Sequence, residues 1–308
     1  MRPNHLLDIQ FDGPFFIGKV LWTSTDEARS LVDLRNGLDA LGVIAVGPGR
    51  FVYHGPYAAA LSRVKTMARD IGRKLGHDEW YLPKLVPGST LDNFGCTSVW
   101  PAYLMKVGQY EKGNMENTIH ADSGEYFLDP VQCAAFYEAL SFLDLNKVCP
   151  LKIMDISGYT YRNEYSHKLN STMKTIEFLR AEYVFVGRDL VKQARSALFG
   201  EYMALLDACR MQWRLVVGQG CYDNPSEDDK EEYAKAQDIE SVPILDLEIY
   251  SKSLGEWVET IGGSYFHDHK LRRFGHPDKG LESGCMGVGL TRLAGLMLEY
   301  MGTEVESW

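Results

Sequence analysis

The sequence predicts an α+β fold, an antiparallel sheet with helices packed against it. Three observations carry that expectation. Strand-like runs arrive in close succession, "SGYTYRNE" then "TIEFLRAEYVFVG", and later "PILDLEIY" then "EWVETIGGSYF". Neighbouring strands joined by loops pair antiparallel, whereas parallel pairing needs a crossover connection. Helical periodicities flank these runs, and the strand–helix alternation of a dinucleotide-binding domain is missing.

Residues 1–55 read as a small N-terminal α/β extension. In "TDEARSLVDLRNGLDALG", Thr25 or Asp26 can cap a helix, Leu31, Leu34, Leu38 and Leu41 give it an apolar spacing, and Gly42 closes it. "VIAV" and "GPGRFVYHGP" follow as strand, turn and strand. A second unit over 56–308 opens with a longer helix after Pro56, with Leu61, Val64, Ala68, Ile71 and Leu75 at helical spacing and Gly76 as its stop. "EWYLPKLVP" reads as a strand, and Pro83 confines it to an edge or interface. "DPVQCAAFYEAL" reads as a helix with Asp129 as N-cap and Pro130 at its first position, which puts Cys133 in the first turn. An amphipathic helix is expected from about Leu190 to Val216. The acidic tract that follows Gly220 reads as a solvated excursion. The last helix starts at Leu290, with Leu293, Ala294, Met297, Leu298 and Met301 on one face.

Bulk properties narrow the function classes. The net charge of −10 disfavours nucleic-acid binding through a broad basic face. The six cysteines form no CxxC pair and suggest buried thiols rather than a disulfide framework. No apolar run reaches the length of a membrane span, and the N-terminus lacks a signal-peptide layout, so a cytoplasmic location is expected.

Strand alternation gathers chemistry on one surface. Arg162 shares a face with Glu164; Phe178, Arg180 and Glu182 share one on the next strand, with Glu177, Leu179 and Ala181 opposite. Asp246 lies with Glu248, and Glu259 with Trp257 and Ile261. Such a face suits cross-strand ion pairs, and equally an anionic nucleotide with its metal: guanidinium groups grip phosphate, an aromatic ring stacks on a base, and carboxylates hold Mg2+.

On these residues the chain resembles the class II aminoacyl-tRNA synthetases. "GYTYRNE" looks like their motif 2, "GVGLTRL" like motif 3, and the helix before "YLPKLVP" like the motif 1 that builds their homodimer. The likeness covers about residues 58–302. It narrows at "FLDPVQC", "RAEYVFVG" and "SGCMGVGLTRL", which resemble the zinc set of archaeal-type seryl-tRNA synthetases and of their truncated homologues, the amino acid:[carrier protein] ligases. "LPKLVPGSTLDNFG" with "VWPAYLMKVG" looks more like those ligases.

The resemblance implies roles. Arg162 bridges the α-phosphate of ATP and the substrate carboxylate, and Glu164 meets the adenine edge or orients Arg162. Phe178 stacks on one face of the adenine, while Arg292 covers the other and reaches the γ-phosphate. Glu248 and Glu259 are the Mg2+ ligands; Gly262 stands where a serine is expected to help, so either Ser264 substitutes or Glu248 carries more of the load. Cys133, Glu182 and Cys285 hold Zn2+ with one position open for the substrate's α-amino group. Their spacings, 49 and 103 residues, form no motif by themselves.

The activity so implied is activation of a small amino acid as its adenylate and transfer to the phosphopantetheine thiol of a carrier protein, with no tRNA partner expected. About 55 leading residues are too few for the usual tRNA-binding domain, and "HDHKLRRF" reads as a basic docking strip for an acidic carrier or, equally, as an ATP-facing or surface segment. The alternatives are a seryl-tRNA synthetase-like enzyme and a non-catalytic paralogue. The retained Arg162, Arg292 and zinc set count against the last. Which amino acid is used is not legible in the residues.

Overall fold

In the computed structural model, residues 3–11, 13–99, 101–108, 124–164, 169, 171–219, 233–277 and 280–308 are described. Cys221 and most of the acidic tract lie outside them. The strands are β1 (Val20–Thr23), β2 (Val43–Gly47), β3 (Arg50–Tyr53), β4 (Asp78–Glu79), β5 (Leu85–Pro87), β6 (Tyr126–Leu128), β7 (Leu151–Asp155), β8 (Tyr159–Tyr161), β9 (Glu177–Gly187), β10 (Trp213–Val217), β11 (Ile244–Ser251), β12 (Glu256–Tyr265) and β13 (Glu282–Gly289). Six helices frame the site: α1 (Gly55–Lys74), α2 (Gly88–Phe94), α3 (Cys133–Leu140), α4 (Val191–Ala208), α5 (His269–Arg273) and α6 (Leu290–Met301).

The large sheet runs β1-β10-β11-β12-β13-β9-β7-β4, with β8 paired to β9. Every pairing in it is antiparallel except β4 with β7, so the α+β expectation holds. The hairpin β2–β3 and the pair β5–β6 stand apart from it. Residues ahead of α1 join the main body: β1 forms the far edge of the sheet, and Leu6, Ile9, Phe15 and Leu34 enter the larger core.

Alternation along the strands divides two cores. Ala181, Tyr183, Phe185, Leu247, Ile261, Met286 and Val288 point to the face covered by α1, α4 and α6. On the opposite face Val184, Val186, Ile153 and Cys285 pack with Phe94, Cys133, Tyr137 and Leu271 from α2, α3 and α5. Each buried aliphatic or aromatic side chain contributes about 1.5–3 kcal/mol of burial, so both faces are pinned. Tyr57 ties α1 to the start of α6 by donating to Thr291 O at 2.9 Å.

Several expectations need correction. Residues 25–42 form turns rather than a helix. The Asp33 carboxylate accepts from the Arg35 and Asn36 amides and from the Asn36 side chain, a local alternative that competes with helical hydrogen bonding. Leu34 and Leu41 are buried all the same. The helix expected over 190–216 ends at Ala208; Arg210 turns in the left-handed region at φ 51°, and β-prone "WRLVV" pairs as β10. "EWYLPKLVP" splits around Pro83 into β4, at the sheet edge, and β5. α3 starts at Cys133 rather than at Pro130, while the Asp129 side chain accepts from Val131 N at 3.0 Å.

Candidate active site

One cavity on the α2–α3–α5 side of the sheet gathers residues from β9, β11, β12 and β13. Its floor is a single row across those strands: Asp246 opposite Gly262, Gly262 opposite Gly287, and Gly287 opposite Glu182. The two glycines leave the space that side chains would fill. A carbon built on Gly262 would lie 2.7 Å from Asp246 Oδ1, and one on Gly287 would lie 1.9 Å from Arg180 Nη2. Asp246 and Arg180 lean over the glycines from opposite ends.

At one end stand the residues expected for the nucleotide. Phe178, Arg162 and Arg292 line the cavity, and the Arg162 guanidinium lies 5.4 Å from the Phe178 ring centroid. Arg162 Nε donates to Pro130 O at 3.1 Å, which orients the fork. Arg292 projects from the first turn of α6, donating Nε to Met173 O at 2.7 Å and Nη1 to Glu259 O at 2.6 Å. Backbone carbonyls hold both guanidinium groups in these contacts, which fixes how each is presented to the cavity. Glu164 is buried just past β8, 3.4 Å from Lys174 Nζ, and does not line the cavity.

At the other end, Cys133, Glu182 and Cys285 have ligand atoms within 4.8 Å of one another and are all buried. Both Glu182 oxygens lack a hydrogen-bond partner among the described residues; Arg180 Nε lies 2.9 Å from Oε2 as an ion pair. Burial raises the Glu182 pKa against the pull of Arg180. The Cys285 thiol is pushed well up by its hydrogen bond with Cys133 and by burial. Two sulfurs and an under-satisfied carboxylate converging on one point form a donor set that fits a tetrahedral zinc ion with a fourth position open. Glu177 is not among the residues lining the cavity, and neither Glu164 nor Glu177 belongs to this triad.

The acidic residues sort differently from the sequence reading. A bulge at Thr260 pairs Glu248 with Glu259 but Leu247 with Ile261, so Ile261 turns to the core while Glu259 and Gly262 face the cavity. Glu248 is engaged by Arg214 Nε at 2.6 Å, with Arg214 stacked 4.5 Å from the Trp257 ring, and it does not line the cavity. Ser264 stands opposite Cys285, toward the thiol end. Asp246 is the carboxylate that sequence reasoning missed. It lines the floor at 8% exposure, and burial followed by repulsion from Glu259 raises its pKa well above the usual range. Its shared face with Glu248 was the available signal.

Lys270 closes the thiol end. Its ammonium donates to Phe94 O at 2.5 Å and lies 4.3 and 5.5 Å from the Phe94 and Phe266 ring centroids. Burial lowers its pKa. Beneath the triad, Lys84 Nζ bridges Asp155 at 2.5 Å and Asp129 at 3.8 Å, and burial raises the Asp129 pKa to about 7.

No family model matches the chain. It is 26% identical over 300 residues to the type-2 serine–tRNA ligase of Methanopyrus kandleri, an alignment covering 85% of this chain and 55% of that protein. With the type-2 serine–tRNA ligase of Methanococcoides burtonii it shares 25% identity over 331 residues, covering 94% and 63%. The chain thus spans little more than half the length of the curated relatives it matches. A crystal structure of A. aeolicus tRNASec in complex with M. kandleri SerRS superposes with a TM-score of 0.78 at 22% identity, covering 96% of this chain and 62% of the other. Cytoplasmic serine–tRNA ligase from Naegleria fowleri, in complex with AMP, gives 0.67 at 14% identity, covering 92% and 60%. The chain is a homologue of the type-2 serine–tRNA ligases, and its fold is that of class II aminoacyl-tRNA synthetase catalytic domains. No helix among the described residues is long and apolar enough to cross a membrane.

Proposed function

We propose that this homologue of the type-2 serine–tRNA ligases activates a small amino acid with ATP and passes it to an acceptor nucleophile. The observation that carries the reading is the division of one cavity. Arg162, Phe178 and Arg292 line its nucleotide end, Cys133 and Cys285 line its other end with Glu182 buried beside them, and a glycine floor joins the two. A substrate carboxylate oxygen attacks the α-phosphorus of ATP, and the bond to the bridging oxygen breaks with pyrophosphate leaving. The acceptor then attacks the acyl carbon and AMP departs.

In this scheme the residues position groups and offset charge more than they exchange protons. Arg162 faces the α-phosphate and the incoming carboxylate. Phe178 stacks on adenine while Arg292 covers its other face. Cys133, Glu182 and Cys285 would hold zinc, which would supply an open position for the substrate's amine and so favour amino acids over plain carboxylic acids. Glu259 is the acidic cavity residue best suited to Mg2+ with the phosphates, and Asp246 is better disposed than Glu248 or Ser264 to assist it.

For the acceptor, the names of the relatives support tRNA over the carrier protein that the sequence reading put first, and the tRNA in the superposed complex points the same way. A carrier thiol is the second reading. It is favoured by "LPKLVPGSTLDNFG", the stretch that looks more like the carrier-protein ligases and that supplies Phe94 to the cavity. ATP–pyrophosphate exchange over an amino-acid panel tests the activation step, and transfer assays with bulk tRNA and holo carrier proteins separate the acceptors. Cys133→Ala is expected to lose zinc and exchange together. A zinc-free Cys133→Ala variant with full exchange would overturn the zinc assignment.

A further inference from the structure

We propose that the thiol end of the cavity selects an amino acid with a short anionic side chain, and that Lys270 is the residue that reads it. This selection presupposes the activation chemistry above and names its substrate class.

Lys270 comes from α5, and two contacts fix where its ammonium sits. Phe266, four residues earlier, is anchored by donating its amide to Ser283 O at 2.9 Å, beside Cys285 on β13. Phe94, the last residue of α2, packs edge-on against Phe266 with centroids 6.1 Å apart. The two rings and the Phe94 carbonyl form a corner, and the Lys270 ammonium occupies it while lining the same cavity as Cys133 and Cys285. An ammonium carries three donors, and among the described residues only the one to Phe94 O is used.

Charge balance carries the rest. The triad with a divalent cation would hold two thiolates and one carboxylate, a net charge of −1. Arg180, paired with Glu182 at 2.9 Å, offsets that charge. Lys270 has no carboxylate partner among the described residues. The ionisable groups that act on it are Cys133, Cys96, Arg273 and Cys285. A part-buried cation facing a substrate cavity without a counter-ion is costly unless the ligand brings one. The substrate's own carboxylate is engaged at Arg162, so the remaining anion belongs on its side chain. With the ammonium and the triad serving one pocket, the side chain must be short. A carboxylate one methylene from Cα, as in aspartate, meets these requirements.

The test is ATP–pyrophosphate exchange by the zinc-loaded protein with glycine, alanine, serine, asparagine, aspartate and glutamate, paired with calorimetric aspartate binding in the presence of a non-hydrolysable ATP analogue. Aspartate is expected to lead the panel. Lys270→Met is expected to lower kcat/KM for aspartate about 10- to 100-fold relative to alanine, the effect of losing a hydrogen bond to a charged group. It should weaken aspartate binding to match, and Lys270→Arg should keep the preference. Preference for glycine, alanine or serine by the wild-type protein overturns the proposal and leaves the activation reading standing. So does a Lys270→Met variant that retains its aspartate-to-alanine ratio, or one whose only defect is loss of zinc. Exchange with no amino acid at all would remove the activation reading and this selection with it. If Lys270→Met fails to fold, the wild-type panel and binding still decide.

Discussion

Adding one methyl group at Gly287 should disable this protein while leaving it folded. The backbone there is an extended strand residue opposite Glu182, so alanine meets no conformational obstacle. The obstacle is Arg180. The new carbon would lie 1.9 Å from Nη2, 2.3 Å from Nε and 2.4 Å from Cζ. Ordinary contact needs roughly 3.5 Å, so the guanidinium must retreat by about 1.5 Å. Its distance to Glu182 Oε2, 2.9 Å in the native arrangement, then passes the limit of a direct ion pair. Close charge pairs are coupled by at least about 1.5 kcal/mol, so loosening this one costs at least roughly tenfold in kcat/KM if the whole loss is felt in the transition state. Stability suffers less, because alanine recovers about 0.5–1 kcal/mol of strand entropy relative to glycine. Gly287→Ala is therefore expected to melt within a few degrees of wild type while losing at least tenfold in pyrophosphate exchange. Exchange within threefold of wild type, with zinc retained, would refute the claim that Arg180 must lie flat on that glycine.

Two further outcomes follow from other parts of the molecule. Phe178→Ala removes the ring beside Arg162, and the KM for ATP in the exchange assay should rise about tenfold, near 1.4 kcal/mol, with a smaller change in kcat; an unchanged KM would place adenine elsewhere. His77 lies buried near Tyr183 with neither ring nitrogen hydrogen-bonded among the described residues, and burial, aided by Lys152, depresses its pKa to about 4. Between about pH 6.5 and 4 the unfolded chain takes up the proton and the folded chain does not, so stability falls as pH drops through that window, by up to about 3 kcal/mol. In urea melts His77→Phe should flatten that part of the pH profile, and an unaltered slope would assign the loss to other groups.

Much of the site was legible where the chemistry is local in sequence. Phe178, Arg180 and Glu182 share a face because strand side chains alternate, and β9 runs unbroken from Glu177 to Gly187. Arg292 sits in the first turn of the last helix because Gly289 ends β13 and Leu290 opens α6. The opposite case is β12. There one extra residue at Thr260 reverses the alternation, sending Ile261 inward and bringing Glu259 and Gly262 to the cavity. Period-two reading has no access to a bulge, because the bulge is set by pairing with a partner strand.

By itself the sequence determined the order of most strands, the antiparallel class and the residue types that an anionic nucleotide requires, since these follow from periodicity, turn chemistry and charge. Tertiary structure decided what long-range pairing controls. It closed Cys133, Glu182 and Cys285 into one cluster across 49 and 103 residues of chain. It gave Glu248 to Arg214 and put Asp246 on the floor in its place. It also set Lys270 against Phe94, 176 residues away. The physical reason is the same in each case. Sheet register and helix docking choose which side chains share a cavity, and burial then sets what a charge there must find as its partner.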